Sequence, residues 1–191
     1  MPSPEPSSTL DAAERRALVE LARAAIGAGR DSPWLGPDLA GLPPALTAPG
    51  ASFVTLHRRG ALRGCIGSLE AHRPLAEDVA GNARAAAFQD HRFPPVVREE
   101  LSELDLEISV LSALVPLPAA SEAELLAALR PRVDGLVLVE GRRRATFLPA
   151  VWRELPEPRQ FLAHLKHKAG LPADHWSPSL QFFRYTVEEF R

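Results

Sequence analysis

Residues 104–110 alternate apolar and polar side chains without interruption, and this pattern restricts the possible folds more than any other segment of the sequence. A period of two is the geometry of a β-strand with one buried face and one hydrated face. We therefore predict a strand of an antiparallel sheet. The strands of a parallel sheet are buried on both faces and are apolar throughout, which this segment is not. The side chains expected in the core are those of Leu104, Leu106, Ile108 and Val110. The side chains expected to face water or a cleft are those of Asp105, Glu107 and Ser109.

The other predicted strands come mainly in hairpin pairs, with helical segments between them. Two hairpins are predicted at residues 52–67 and 136–148, and a last strand at residues 180–190. The predicted helices begin at Ser8 or Thr9, at Pro74, at Ser121 and at Pro158. Hairpins separated by helices favour an α+β fold with a mainly antiparallel sheet and flanking helices.

Length and composition describe an ordinary globular chain: 191 residues, of which 46% are hydrophobic and 24% charged. We predict a single domain at residues 9–191, after a disordered tail rich in proline and serine at residues 1–8. The formal net charge of -2 gives no electrostatic case for nucleic acid as a partner. No apolar run approaches the roughly 18 residues that span a bilayer, and the tail does not resemble a signal peptide. We expect a cytoplasmic protein that binds neither nucleic acid nor membrane.

Residues 62–67, LRGCIG, place the chain's one cysteine between two glycines inside a predicted strand. Glycine within a strand marks a bulge or a close approach of another backbone. Strand alternation puts Arg63 and Cys65 on one face, where the guanidinium could lower the pKa of the thiol and produce a nucleophilic thiolate. The amides around Gly64 and Gly67 could then contact a ligand or stabilise negative charge. The alternative is that Cys65 is a small buried hydrophobe and that the glycines relieve crowding.

Four polar residues that follow this segment are further candidates for the site. His72, at the entry to a helix, could act as a general base or polarise the thiol, or it could serve the turn alone. Asn82 lies in the middle of the helix, where it either bonds to neighbouring backbone or faces a polar cleft. Asp90 could cap the helix end and pair with Arg92, and Arg92 could contact an anion.

Neither a metal nor a cofactor is predicted from the sequence. His164 and His167 are three residues apart on a predicted helix and can share a face, with His175 as a third ligand only through tertiary contact. Lys166 and Lys168 surround them, and no acidic residue lies in the matching position. The sequence also contains no glycine-rich phosphate loop, dinucleotide fingerprint or nucleophile elbow.

Five segments in order carry a resemblance to a known family: LRGCIG, HRPLAEDVAGNARAAAFQDHRFPPV, LDLEISVLS, VDGLVLVEGRRRATFLP and FLAHLKHKAGLP. From about Ser52 to Phe190 the chain resembles the AMME chromosomal region domain family, whose bacterial and archaeal members are called AmmeMemoRadiSam system protein A. The resemblance implies an α+β fold with a larger lobe, a smaller lobe and a cleft between them near the LRGCIG strand. It also implies genomic association with a radical SAM protein and a Memo-type protein, which become candidate partners beside a small-molecule ligand.

The chain departs from the pattern of this family at three positions. Lys166 stands where the family commonly has cysteine, which leaves Cys65 without a second thiol and excludes an intramolecular dithiol mechanism. Ala150 replaces a glutamine that relatives often carry, so an amide contact is missing there. Ser68 stands where threonine is usual, and it keeps the hydroxyl.

Two functions from different classes follow from these residues. The first is a ligand- or partner-binding domain that acts in an AmmeMemoRadiSam-type system through a cleft at the LRGCIG strand. The second is a thiol-dependent enzyme in which Cys65 attacks a small electrophilic substrate. The lack of a second cysteine and of an obvious acid–base pair favours the first. In both cases we expect one cleft to be lined by Arg63, Cys65, Asn82, Asp90 and Arg92.

Overall fold

The computed structural model describes residues 10–191, which form two compact units. The first unit runs up to Leu111 and includes Glu188–Arg191, and the second is Ser112–Val187. Each contains helices and antiparallel strand pairs, so the predicted α+β fold is confirmed. The predicted tail at residues 1–8 lies outside the described residues. No helix within residues 10–191 is long and apolar enough to cross a bilayer.

The helices and strands follow the periodicity of the sequence. In chain order they are α1 (Ala12–Gly27), α2 (Pro44–Thr47), β1 (Pro49–Arg58), β2 (Ala61–Gly67), β3 (Arg73–Pro74), α3 (Leu75–Phe88), a 3-10 helix (Arg98–Glu103), β4 (Leu104–Leu111), β5 (Val115–Pro116), α4 (Glu122–Ala128), β6 (Gly135–Glu140), β7 (Arg143–Phe147), a 3-10 helix (Pro149–Arg153), α5 (Pro158–Lys168), β8 (Gln181–Tyr185) and β9 (Val187–Phe190).

The sheet of the first unit has the strand order β2-β1-β4-β9, and β3 pairs with the start of β1. β1 is antiparallel to both β2 and β4, and helices α1 and α3 share its buried core. The predicted faces of β4 are confirmed, because Leu104, Leu106 and Ile108 are buried while Asp105 is exposed. Val110 is only partly buried, but it packs against the same core. One face of this sheet is therefore covered by helices, and β2 forms one of its edges.

Helix α1 begins at Ala12, so the predicted start at Ser8 or Thr9 is wrong. The side chain of Asp11 accepts the backbone N–H groups of Ala13 at 2.7 Å and Glu14 at 2.8 Å. The carboxylate of Glu14 in turn accepts the N–H of Asp11 at 2.8 Å. This reciprocal capping box satisfies the free amides of the first turn and sets the start of the helix. Ser8 and Thr9 themselves lie outside the described residues.

The second unit contains a sheet of order β5-β8-β6-β7 with helices α4 and α5. Its core includes Trp152 stacked on Phe161 with ring centroids 3.8 Å apart. The predicted hairpin at residues 136–148 is present as β6 and β7. The predicted helices at Ser121 and Pro158 are α4, which Ser121 caps, and α5, which Pro158 opens.

The predicted last strand at residues 180–190 is two strands that belong to different sheets. β8 pairs with β5 and β6, whereas β9 lies beside β4. Thr186 separates them: its carbonyl accepts the N–H of Ser112 at 2.9 Å, and its N–H donates to the Ser112 hydroxyl at 3.0 Å. The aromatic run favours extended backbone throughout, but only these long-range bonds end one strand and start the other.

Candidate functional site

Cys65 lies on the edge strand β2, directly opposite Thr55 of β1. The Thr55 hydroxyl donates to the Cys65 sulfur at 3.3 Å, and the cysteine is half-buried. On the other side of β1 the register places Glu107 of β4 opposite Thr55. Cys65, Thr55 and Glu107 therefore share the sheet face opposite to the one that the helices cover, and we call these three residues the outer row.

The backbone of Cys65 is clamped by an ion pair from the loop after α3. Its N–H donates to Asp90 Oδ2 at 2.9 Å, and its carbonyl accepts Arg92 Nη2 at 3.2 Å. Arg92 also donates to both Asp90 oxygens, with Nη2 to Oδ2 at 2.6 Å and Nε to Oδ1 at 2.9 Å. One donor and one acceptor of an edge strand are thus satisfied as a neighbouring strand would satisfy them. We call this pair the edge clamp.

The two members of the edge clamp differ in exposure and charge environment. The Asp90 side chain is 2% exposed and that of Arg92 is 49% exposed. The Arg92 guanidinium holds the pKa of Asp90 far below its usual range, and the Cys65 N–H contributes to the same shift. Asp90 in turn raises the pKa of Arg92. Asp90 is therefore a fixed anion rather than a proton donor, and Arg92 presents a fixed, half-exposed cation next to Cys65.

Arg63 points away from the thiol, although alternation placed it on the same face. Its Nε and Nη2 donate to the two oxygens of Glu100 at 2.9 and 2.8 Å, and its Nη1 donates to the Pro94 carbonyl at 2.9 Å. A register shift explains the difference. Gly64 pairs with Leu56 but Leu62 pairs with His57, so Arg63 is the extra residue of a bulge. The cation at Cys65 is therefore Arg92, and Arg63 anchors β2 to the 3-10 helix at Arg98–Glu103.

Close packing explains both glycines of the LRGCIG strand. A Cβ on Gly64 would collide with the backbone carbonyl of Ala86 in α3, and a Cβ on Gly67 would collide with the Phe53 ring. The strand approaches the helix and its neighbour so closely that a side chain has no room. This geometry supports the reading in which the glycines relieve crowding, and their amides remain candidates for ligand contact.

Asn82 belongs to a different group of polar residues, on the helix side of the sheet. Its Nδ2 donates to the Ser52 carbonyl and to Asp78 Oδ2, both at 2.9 Å. Asp78 is fully buried and also accepts hydrogen bonds from the Ser52 N–H and hydroxyl, from Ser68 and from Arg73. This network ties α3 to the start of β1 and the end of β2, and its buried polar groups are paired. Asn82 therefore serves the packing of α3.

Of the predicted site residues, the structure brings Cys65, Asp90 and Arg92 into direct contact. Arg63 joins the same loop through Pro94, Asn82 bonds within the buried network, and His72 is exposed to solvent. Sequence reasoning missed Thr55, Asp78 and Glu100. Thr55 could have been found from the hairpin register and Asp78 from its spacing of four from Asn82 on one helix face, whereas nothing local identifies Glu100.

Lys166, at the position where the family pattern commonly has cysteine, is fully buried in α5. Its ammonium donates to Glu122 Oε2 at 2.6 Å and to the Ala173 carbonyl at 3.1 Å, and it lies 5.7 Å from the Trp176 ring centre. His175 bonds to Glu140 instead of joining His164 and His167. Among residues 10–191 there is no group of three or more His, Cys, Asp or Glu side chains placed to hold a metal ion.

Comparisons with known proteins agree with the fold and with the family that the sequence resembles. The sequence model of the AMMECR1 family matches residues 19–190. A protein from Methanothermobacter thermautotrophicus is 38% identical over 182 residues, with 93% of each chain covered. A protein from Thermotoga maritima is 38% identical over 142 residues, covering 73% of this chain and 76% of its own. The crystal structure of an uncharacterised Pyrococcus horikoshii protein superposes with a TM-score of 0.76 at 32% identity, covering 94% of this chain and 92% of that one.

Proposed function

Because the chain belongs to the AMMECR1 family, we propose that it is a cytoplasmic binding domain whose ligand- or partner-binding surface is the outer row together with Arg92. The candidate partners are the radical SAM protein and the Memo-type protein of an AmmeMemoRadiSam-type system. Arg92 is the anion contact of this surface, and Cys65 and Thr55 form its floor.

The observation that carries this proposal is the way in which Arg92 is held. Its Nε and Nη2 are committed to Asp90 and to the Cys65 carbonyl, while its Nη1 donates to none of residues 10–191 and its side chain is 49% exposed. A guanidinium that is fixed on one edge and open on the other loses little conformational entropy on binding a carboxylate or phosphate. Such a pre-organised cation suits recognition of an acidic group on a ligand or partner.

The chemistry around the sulfur favours binding over catalysis. The hydrogen-bond partner of the Cys65 sulfur is the Thr55 hydroxyl, which donates and is not a base at neutral pH. Asp90 is occupied by the Cys65 N–H and by Arg92, and Arg63 is occupied by Glu100. A nucleophilic thiol is normally activated by an adjacent base or by a strongly lowered pKa. The residues of the site supply a cation but place no base at the sulfur.

The direct test is a calorimetric titration of the chain against each candidate partner protein from the same source. Arg92→Gln removes the charge but keeps a donor for Asp90, and Arg16→Gln, on the exposed side of α1, is the matched control. We expect Arg92→Gln to weaken binding at least tenfold and Arg16→Gln to leave it unchanged. Equal affinity of both variants, or no binding of either protein to the unmodified chain, would reject the proposal.

The second candidate, a thiol-dependent enzyme, is kept because Cys65 is half-buried rather than sealed and a fixed cation lies beside it. Iodoacetamide labelling of the native protein across pH separates the two functions, and Cys65→Ser is the blank because the chain has no other cysteine. A labelling midpoint well below about 8.5, the ordinary value for a thiol, would favour the enzyme. A labelling midpoint at or above that value would support the binding function instead.

A further inference from the structure

A cavity of about 70 Å³ opens where the end of α1 meets β1 and β4. Its walls are the side chains of Ile26, Leu56, Leu101, Leu104 and Leu106. It lies on the helix side of the sheet, because Leu56 follows Thr55 of the outer row and consecutive strand residues point to opposite faces. This cavity is therefore separate from the surface assigned to Cys65 and Arg92.

Two further residues of the lining give the cavity its chemical character. The Arg23 side chain is exposed and takes part in no ion pair or hydrogen bond within residues 10–191. At Gly27, one turn later, a Cβ would meet no atom within 4 Å apart from its chain neighbours and the backbone of its own helix. The end of α1 therefore has free space, and the unpaired guanidinium of Arg23 lies beside an apolar wall.

We propose that this cavity binds a short aliphatic monocarboxylate, with the hydrocarbon tail among the leucines and the carboxylate on Arg23. Interiors are close-packed, so apolar walls without neighbours lose dispersion contacts that a tail would restore. A dry cavity of about 150 Å³ holds a benzene ring, so a cavity of about 70 Å³ suits a tail of about three carbons. One guanidinium matches the single charge and planar fork of a carboxylate, whereas a phosphate dianion calls for more cations.

The test uses isobutyrate, which has a three-carbon tail, as the probe and follows backbone amide shifts of the labelled protein by NMR. We expect saturable shifts at Ile26, Gly27 and Leu101, with a dissociation constant on the order of 1–10 mM, since a ligand this small has few contacts. Isobutyramide, which has the same shape without the charge, should bind at least fivefold more weakly. No saturable shift at these residues, or equal shifts with both probes, would overturn the proposal.

Two pairs of variants separate the contributions of charge and space. Arg23→Gln should weaken isobutyrate binding at least fivefold, and Arg16→Gln on the same helix should not change it. Gly27→Leu should fill the cavity and abolish binding, and Ala28→Leu, one residue later and also exposed, should preserve it. The amide spectrum of each variant shows directly whether the fold is kept. Binding that survives both Arg23→Gln and Gly27→Leu would overturn the assignment.

Discussion

The carboxylate of Asp90 accepts the backbone N–H of Cys65 at 2.9 Å, so a side chain takes the place of a neighbouring strand at the edge of the sheet. Arg92 completes the arrangement through the Cys65 carbonyl. Sheet edges attract unwanted strand pairing, and covering them with charged side chains is one way in which proteins prevent it. The edge clamp therefore protects the strand and at the same time fixes the cation of the proposed binding surface.

Asp90→Asn should weaken the edge clamp, because one of its two acceptor oxygens becomes an NH2 group that faces donors. Leaving buried donors unsatisfied costs about 1–3 kcal/mol, and the free energy of unfolding should fall by that amount. Hydrogen exchange at the Cys65 amide should accelerate, while the Val54 amide, in the strand paired on both sides, should stay protected. Unchanged exchange at Cys65 would show that Asp90 does not hold this edge.

The ion pair of Glu100 with Arg63 should make stability depend on pH in the acid range. Hydrogen bonds from Arg63 lower the pKa of Glu100 from 4.5 to about 2. Because the folded pKa lies below the unfolded one, this stabilisation is complete above about pH 4.5 and is lost as the pH falls through about 2. Glu100→Gln should flatten the unfolding free energy over that window, and the exposed Glu99→Gln should not. If the free energy of unfolding of Glu100→Gln falls with pH as steeply as that of the unmodified protein, this assignment is contradicted.

Gly64→Val should lower the free energy of unfolding by about 1–3 kcal/mol, because overpacking forces backbone shifts. The obstacle is the backbone carbonyl of Ala86 in α3, which cannot rotate away as a side chain would. Gly27→Ala is the matched control, since a Cβ there meets nothing within 4 Å. Urea denaturation of both variants measures the difference. If Gly64→Val unfolds at the same urea concentration as the unmodified protein, the close strand–helix approach is not required.

The buried pair of Lys166 with Glu122 should respond asymmetrically to substitution. The Lys166 side chain is 0% exposed and that of Glu122 is 33% exposed. Glu122→Ala leaves a buried ammonium without its counter-ion and should cost about 3–5 kcal/mol. Lys166→Met replaces the charge with an apolar chain of similar length and leaves a carboxylate that water can reach, so its cost should be smaller. Thermal or urea unfolding that ranks the two variants in the opposite order would refute this explanation.

Local patterns in the sequence determined most of the secondary structure. The alternation at residues 104–110 predicted β4 and its buried face, and the Pro74 entry predicted α3, which begins at Leu75. These predictions succeed because a strand or helix imposes its own period on the side chains that must be buried. The order of the motifs likewise carried the resemblance to the family that the comparisons confirmed.

Only the tertiary structure decided which polar groups meet. Cys65 and Asp90 are 25 residues apart, Arg63 and Glu100 are 37 apart, and the bulge that separates Arg63 from the thiol is a property of the pairing with β1. The division of the last strand at Thr186 likewise depends on Ser112, which is 74 residues away. Periodicity indicates which face of a helix or strand is buried. It does not indicate which partner a side chain contacts there, because that partner comes from a distant segment that the packing of the whole fold brings close.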